Sequence, residues 1–246
     1  FGSVKDCDAV FLTYDTPVGE DDRPDITGLL QSTKKLARYI KNDALFVVMS
    51  QVPVETTKKL LESIKKYNPK FIGEAVYFPE ILQLGKALEC FLSPERVVIG
   101  IETKNAFLKL DQIIAPVKCP RIKMNIASAE ITKHALNSFL ATSLSFIYNI
   151  SDVCEIAGGD VTDVAKALRS DSRIGQAAYL DSSLGFSGGT LMRDLRTLSK
   201  FAKKNKKQLA VIDGVLQVNI NRRKTFIDRL QRLLKIPLHK ANIGIL

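Results

Sequence analysis

The stretch Ala44-Leu45-Phe46-Val47-Val48-Met49 carries the clearest strand signal of the chain, and Ser50-Gln51-Val52-Pro53 ends it. A short, continuous apolar run that stops at a proline-containing turn is typical of a strand buried on both faces. This run therefore indicates the interior of a sheet that helices cover on both sides.

Strand and helix patterns alternate on both sides of this run. Further strands are predicted at residues 9–14, 71–78 and 96–101, and helices at 29–40, with Asp25 as N-cap, and at 57–67. Such alternation predicts an α/β domain with a parallel sheet, which we assign to residues 1–125. Ligands of such sheets bind at the carboxyl ends of the strands. The loops at that edge are residues 13–17, 50–53 and 78–80.

The chain becomes helical after this domain. Residues 129–157 contain neither Gly nor Pro, and apolar side chains recur in them at helical spacing. A helix of that length is about 43 Å long. Shorter helical patterns follow at residues 161–169, at 193–203 and in a stretch that ends near Lys235. We predict a helical domain at 126–235, and at 236–246 the start of a further α/β domain with its first strand at 241–246.

Charge is concentrated in one segment. The formal net charge is +10, and residues 193–235 hold thirteen Lys or Arg against three Asp. Such a segment attracts anions, so it could bind a phosphorylated ligand or nucleic acid, or form a solvated helical face. Its aromatic residues are only Phe201 and Phe226, which disfavours base stacking and makes nucleic acid the remote alternative.

The remaining composition narrows the class of protein. No run of about eighteen apolar residues occurs, so we expect no membrane span, and the first residues do not resemble a signal peptide. Four scattered cysteines and two histidines disfavour a metal site. We expect reduced thiols and a cytoplasmic protein.

Several polar residues are candidates for chemistry. Lys133 and Asn137 stand four apart and share one helix face. They form either a solvent-facing stripe, with Glu130 as a helix partner, or a site whose ammonium binds an oxyanion or acts as a base. Glu80 follows Pro79 at a strand end, and Asp194 follows a glycine-rich loop, residues 184–190. Glycines there allow the backbone to approach a ligand, or simply make a turn.

Five sequence blocks in order resemble the UDP-glucose/GDP-mannose dehydrogenases. The family patterns are S-T-V-P, P-E-F-L-x-E-G-x-A with P-[DE]-R-[IV]-V-[IV]-G, E-[LM]-x-K-Y-x-x-N-A-F-L-A, D-x-R-I-G and G-[FY]-G-G-S-C-F-x-K-D. The matching segments are residues 50–53, 79–100, 130–141, 171–175 and 185–194. The resemblance implies an incomplete Rossmann-like NAD-binding domain, a long dimerisation helix at 129–157 and the start of a nucleotide-sugar-binding domain at 236–246. The G-x-G-x-x-G unit would precede residue 1.

The resemblance also implies an NAD-dependent, two-step oxidation of the C6 hydroxyl of a UDP- or GDP-linked hexose by a homodimer. It places three groups of residues in roles. The catalytic positions are Glu80, Lys133, Asn137, Thr190 and Asp194. The substrate-binding positions are Leu82, Arg173, Phe186 and Gly188. The cofactor-binding positions are Thr16, Pro17, Ser50, Gln51 and Arg193. The basic segment, residues 193–235, which includes Arg222, would lie near the diphosphate.

The departures from the family pattern fall mainly at or near positions with catalytic or cofactor-binding roles. Thr190 stands where the family has a nucleophilic cysteine, Gln51 replaces the threonine of S-T-V-P, and Leu84 replaces a glutamate. A threonine hydroxyl needs a strong local base to act as a nucleophile, whereas a thiolate is accessible near neutral pH. The sequence therefore predicts a dehydrogenase whose second oxidation is in question. The alternative is a catalytically inactive homologue that binds a nucleotide sugar.

Overall fold

The computed structural model describes residues 2–19, 24–80, 82, 85–187, 189–234 and 236–244. The chain divides into two compact units, Phe1–Ala135 (unit 1) and Leu136–Leu246 (unit 2). The division falls inside the long helix α5, Ile126–Ala157. The domain division predicted at residues 125 and 126 lies at the start of the same helix.

Unit 1 is an α/β unit, as predicted. After a short 3₁₀ helix at Gly2–Val4, strands and helices alternate along the chain. The strands are β1 (Ala9–Leu12), β2 (Leu45–Val48), β3 (Ala75–Tyr77), β4 (Val97–Gly100) and β5 (Arg121–Met124). The helices are α1 (Thr27–Leu36), α2 (Thr56–Tyr67), α3 (Ala87–Leu92), α4 (Lys104–Ile113) and the first part of α5. The five strands form one sheet in the order β1-β2-β3-β4-β5.

The interior strand β2 is buried on both faces, which confirms the prediction from its apolar run. Phe46 and Val48 pack with residues of α1 and α2 on one face of the sheet. Leu45 and Val47 pack with residues of α4 on the other face. Because successive side chains of a strand point to opposite faces, a continuous apolar strand suits a sheet between two helical layers.

The predicted parallel sheet needs one correction, between β3 and β4. The pairs β1–β2, β2–β3 and β4–β5 are parallel, whereas β3 and β4 pair in antiparallel fashion through Tyr77 and Gly100. A parallel connection needs a crossover segment that packs across the sheet. The helix between β3 and β4 is α3, which has six residues, none of them buried. It therefore does not cover the sheet as a crossover helix would.

Strand β5 was missed by the sequence analysis for a physical reason. Its sequence, Arg-Ile-Lys-Met, alternates charged and apolar residues over only four positions, and its middle residues Ile122 and Lys123 are exposed. It pairs with β4 alone among the described strands, so it is an edge strand. Charged side chains on an edge strand discourage pairing with other molecules, and they also weaken the apolar signal.

Unit 2 is helical, as predicted. It contains the rest of α5, which has 32 residues in all, together with α6 (Val161–Ser170), α7 (Leu191–Lys204) and α8 (Ala210–Leu234). A 3₁₀ helix, Leu238–Lys240, follows. Residues 241–244 form no strand, and residues 245 and 246 lie outside the described part. The strand predicted at 241–246 is thus not found at 241–244, because a strand needs a neighbouring strand and these residues pair with none in the described chain.

Within the described ranges, no helix is both long enough and apolar enough to cross a membrane.

Candidate functional site

The loops after β1 and β2 are tied together by two buried hydroxyl groups. Thr16 Oγ1 donates to the Gln51 carbonyl oxygen at 2.8 Å, and Ser50 Oγ donates to the Leu12 carbonyl oxygen at 3.2 Å. The structure therefore brings together the predicted cofactor residues Thr16, Ser50 and Gln51, with Pro17 exposed beside them. The two hydroxyls thus join the loop after β1 to the loop after β2, and Gln51 is half-buried there.

Two buried side chains of α5 bind the turn that follows β2. The Glu130 carboxylate accepts the backbone N–H groups of Glu55 at 2.6 Å and Thr57 at 2.8 Å. His134 Nε2 lies 2.9 Å from the Val52 carbonyl oxygen. Burial raises the pKa of Glu130 above its ordinary value, and the N–H donors of Thr57 and Glu55 oppose that rise.

Glu130 is thus not the solvent-facing helix partner of Lys133 that one interpretation of the sequence offered. Its side chain is fully buried and binds the amino terminus of α2. Sequence analysis gave neither Glu130 nor His134 a role of this kind. The only available signal was the presence of a carboxylate and an imidazole, four residues apart, in an otherwise apolar helix.

The structure brings together the predicted catalytic residues Lys133 and Glu80. Lys133 is half-buried, and its Nζ donates to the backbone carbonyl oxygen of Glu80 at 2.8 Å. The contact uses the Glu80 backbone, and the Glu80 residue is exposed. The ammonium is therefore held at the carboxyl end of β3, where substrates of α/β sheets bind.

In unit 2, the predicted catalytic residues Asn137 and Asp194 form a buried pair. Asn137 Nδ2 donates a hydrogen bond to Asp194 Oδ2, and both residues are buried. Asp194 lies in the first turn of α7, where the helix dipole favours a negative charge. Arg193 Nε lies 4.0 Å from the other carboxylate oxygen, and its side chain is largely buried. The Asp194 side chain is thereby kept away from water, with the Asn137 amide as hydrogen-bond donor and the Arg193 guanidinium nearby.

The glycine-rich loop is anchored by α8. Asn219 Oδ1 accepts the Phe186 N–H, and Asn219 Nδ2 donates to the Phe186 carbonyl oxygen, both at 2.9 Å. The Phe186 side chain packs against the buried apolar clusters of unit 2, so it is part of the core as well as of the loop. Thr190 is the exposed N-cap residue of α7, and its hydroxyl makes no capping hydrogen bond.

Arg222, one turn after Asn219, is engaged inside the protein. Its guanidinium donates to the Ser183 carbonyl oxygen at 3.0 Å and to the Asp152 carboxylate, and it lies over the Tyr148 ring at 5.3 Å. Its guanidinium thus binds the loop and α5, and the place of the basic segment near the diphosphate stays a prediction. Sequence analysis missed Asn219, whose single amide gives no pattern in a basic helix.

The remaining predicted substrate residues are Arg173, Leu82 and Gly188. Arg173 forms a two-point ion pair with Asp171, and 87% of its side chain is exposed. The Arg173 guanidinium holds the pKa of Asp171 below its usual value. Leu82 is half-buried, and Gly188 lies outside the described residues.

Gly185 provides a stability test of the loop anchor. Its φ is +127°, and a Cβ there would lie 2.9 Å from Asn219 Oδ1. We expect Gly185→Ala to lower the free energy of unfolding by about 1–3 kcal/mol, because it strains the backbone and disturbs the Asn219 hydrogen bonds. Urea denaturation measures the effect.

The matched control is Gly214→Ala in α8. A Cβ at Gly214 meets no atom within 4 Å. Because alanine favours a helix over glycine, this variant should be more stable than the wild type by about 0.5–1 kcal/mol. Equal effects of the two substitutions would contradict the anchor.

Comparison with known proteins identifies the family. Residues 2–118 match the NAD binding domain of the UDP-glucose/GDP-mannose dehydrogenase family, and residues 127–221 match its central domain. The chain belongs to this family. NAD is therefore the cofactor of unit 1, and the loops after β1 and β2 fit it because they lie at the carboxyl edge of parallel strands.

Curated relatives include two UDP-glucose 6-dehydrogenases. The protein of Rickettsia felis is 30% identical over 246 residues, which are 99% of this chain and 54% of the relative. TuaD of Bacillus subtilis is 31% identical over 229 residues, which are 93% of this chain and 50% of the relative. The chain thus spans about half the length of the curated relatives it matches.

Solved structures of the family share the fold. A UDP-glucose dehydrogenase from Pyrobaculum islandicum has a TM-score of 0.88 at 29% identity, over 94% of this chain and 54% of that one. A UDP-D-ManNAc dehydrogenase from Pyrococcus horikoshii has a TM-score of 0.84 at 18% identity, over 95% of this chain and 55% of that one. The second likeness concerns the fold alone.

Proposed function

We propose that this chain carries the catalytic residues of an NAD-dependent dehydrogenase that oxidises the C6 hydroxyl of a UDP-linked hexose. The observation that carries the proposal is the buried Asn137–Asp194 pair, which keeps two of the family's catalytic positions in a fixed arrangement. The half-buried Lys133 ammonium, held at the end of β3, supports it as well. UDP-glucose is the first substrate to test because it is named in the relatives.

The first oxidation converts the alcohol to an aldehyde. Bound NAD⁺ would supply the acceptor for a hydride from C6, and the hydroxyl would give up a proton, so that one NADH and one H⁺ would form per sugar. Negative charge develops on the C6 oxygen as the proton leaves. An ammonium such as that of Lys133 stabilises this charge most strongly when it is partly shielded from water.

The second oxidation is the step that Thr190 affects. In the family pattern a cysteine adds to the aldehyde, and the adduct gives up a second hydride. Thr190 lies at the N-terminus of α7, a position that favours a thiolate through the helix dipole. A hydroxyl gains little there because its pKa is far above neutral pH. We propose that the chemistry of this chain halts, or becomes slow, at the aldehyde.

The rival function is a nucleotide-sugar-binding homologue without activity, and the substitution at Thr190 favours it. NADH formation distinguishes the two functions. The full-length protein is mixed with NAD⁺ and UDP-glucose, GDP-mannose serves as the comparison substrate, and NADH is followed by absorbance. NADH formation with UDP-glucose supports the dehydrogenase. Binding of UDP-glucose without any NADH supports the inactive homologue.

We further propose that the protein is a homodimer formed through residues 129–157. Phe139, Phe146 and Val153 stand seven residues apart on α5, and they are 70%, 50% and 59% exposed. Apolar residues at this spacing form one stripe on a helix, and such a stripe is costly to leave in water. A second copy of the same helix offers the complementary surface.

We expect Phe139→Glu to convert this dimer into monomers, because a carboxylate would have to be buried in the apolar interface. Sedimentation velocity measures the change. Phe226→Glu is the matched control, since Phe226 is 38% exposed on α8, outside the stripe. A wild-type monomer, or a dimer that both variants retain, would contradict the proposed interface.

A further inference from the structure

We propose that Glu130 and His134 are positioning residues that hold the NAD-facing turn, residues 50–57, in the conformation the cofactor requires. The proposal rests on the proposed function for its catalytic consequence. Its structural part, that these two side chains fix the turn, stands on the contacts alone. Neither residue belongs to the catalytic or cofactor-binding positions described above.

The two side chains bind three points of the turn from one helix face. They lie four residues apart in α5, and both residues are fully buried. His134 binds the Val52 carbonyl oxygen, and Glu130 binds the N–H groups of Glu55 and Thr57. A buried hydrogen bond that loses one partner leaves the other unsatisfied, so each contact opposes any movement of the turn.

The turn needs such support because its backbone is unfavourable. Glu55, the N-cap residue of α2, has φ +72° and ψ +4°, in the left-handed region that favours glycine. The Glu55 side chain makes no capping hydrogen bond to α2. The Glu130 carboxyl group supplies that cap from α5, because its oxygens accept the N–H groups of Glu55 and Thr57 at the start of the helix.

The contacts connect the turn to the predicted cofactor residues and to Lys133. Thr16 binds the Gln51 carbonyl oxygen, and the next carbonyl, that of Val52, is bound by His134. Two consecutive carbonyl oxygens are therefore bound, one by the loop after β1 and the other by α5. Lys133 lies between Glu130 and His134 in sequence, so the first turns of α5 set both the ammonium and the turn in one rigid element.

The test compares His134→Leu with His134→Gln in the full-length protein. Leucine removes the donor to Val52, whereas a glutamine amide can replace the imidazole Nε2–H. We expect His134→Leu to raise the NADH dissociation constant and the KM for NAD⁺ by about tenfold, with kcat changed less than about threefold. His134→Gln should recover most of the affinity. His239→Leu, at an exposed histidine in the described part of the chain, is the control.

Amide hydrogen exchange of residues 52–57 provides a second readout that needs no cofactor. Exchange should be faster in His134→Leu and in Glu130→Gln, whose amide accepts only one of the two N–H groups well. Unchanged exchange in both variants would overturn the proposal. Faster exchange with unchanged NADH affinity and KM would overturn its functional part. A wild type that binds no NADH would contradict the proposed function instead. Amide exchange would still show whether Glu130 and His134 hold the turn.

Discussion

Lys133→Ala is expected to lower kcat for NADH formation at least about 10³-fold, with a smaller change in the KM for the nucleotide sugar. The ammonium stabilises charge that develops only as the C6 hydroxyl loses its proton, so its removal raises the barrier more than it weakens substrate binding. Steady-state kinetics with UDP-glucose and NAD⁺ measures both quantities. The bond to the Glu80 carbonyl oxygen is also lost, and a thermal melt shows whether the fold survives.

Lys133→Arg separates two roles that the sequence left open. An arginine keeps the positive charge but does not act as a base at neutral pH. Substantial activity in Lys133→Arg indicates that the lysine binds an oxyanion, and its loss indicates a base. Lys35→Ala is the control, because Lys35 is an exposed lysine of α1 in the same unit. A Lys133→Ala variant as active as this control would contradict the catalytic assignment.

Asp194→Asn is expected to lower both stability and activity. The Asn137 amide would then face another amide instead of a carboxylate, in a place shielded from water. Loss of a buried hydrogen bond to a charged group should lower the free energy of unfolding by about 1–3 kcal/mol. If Asp194 takes part in proton transfer, kcat should fall by about 10²-fold or more. Urea denaturation and steady-state kinetics measure the two effects.

The double variant Asn137→Asp/Asp194→Asn separates the structural from the catalytic contribution. It restores an amide–carboxylate hydrogen bond with the two groups exchanged. Stability should therefore recover at least in part, whereas activity should stay low because the carboxylate lies on the wrong helix. Full recovery of activity would show that Asp194 matters only as a hydrogen-bond acceptor. Equal instability of the single and double variants would contradict the pairing.

The sequence predicted the elements of the fold better than their pairing. The apolar run at residues 44–49 indicated a doubly buried strand because its burial depends on its own composition. The antiparallel pairing of β3 with β4 goes with a short helix α3 that does not cross the sheet, and no local sequence pattern indicates this. The edge strand β5 was not predicted because its two charged residues interrupt the apolar pattern that indicates a strand.

In the candidate site, too, some residues were predicted from the sequence and others were not. Lys133 and Asn137 were predicted as candidates because their spacing puts two polar groups on one face of an apolar helix. The family resemblance predicted a catalytic role for Asp194. Glu130 and Asn219 were given no such role, since each acts on backbone groups that lie 73 and 33 residues away in the chain. A single polar residue carries no local sign of a distant backbone partner.

The yield of NADH per sugar tests the central claim most directly. The central claim is that this chain keeps its acid–base groups but lacks the nucleophilic cysteine. With UDP-glucose limiting and NAD⁺ in excess, it predicts about one NADH per sugar and an aldehyde product. Thr190→Cys should then raise the yield toward two. Two NADH per sugar from the wild type would contradict the role given to Thr190. No NADH from either protein would contradict catalysis by the retained residues.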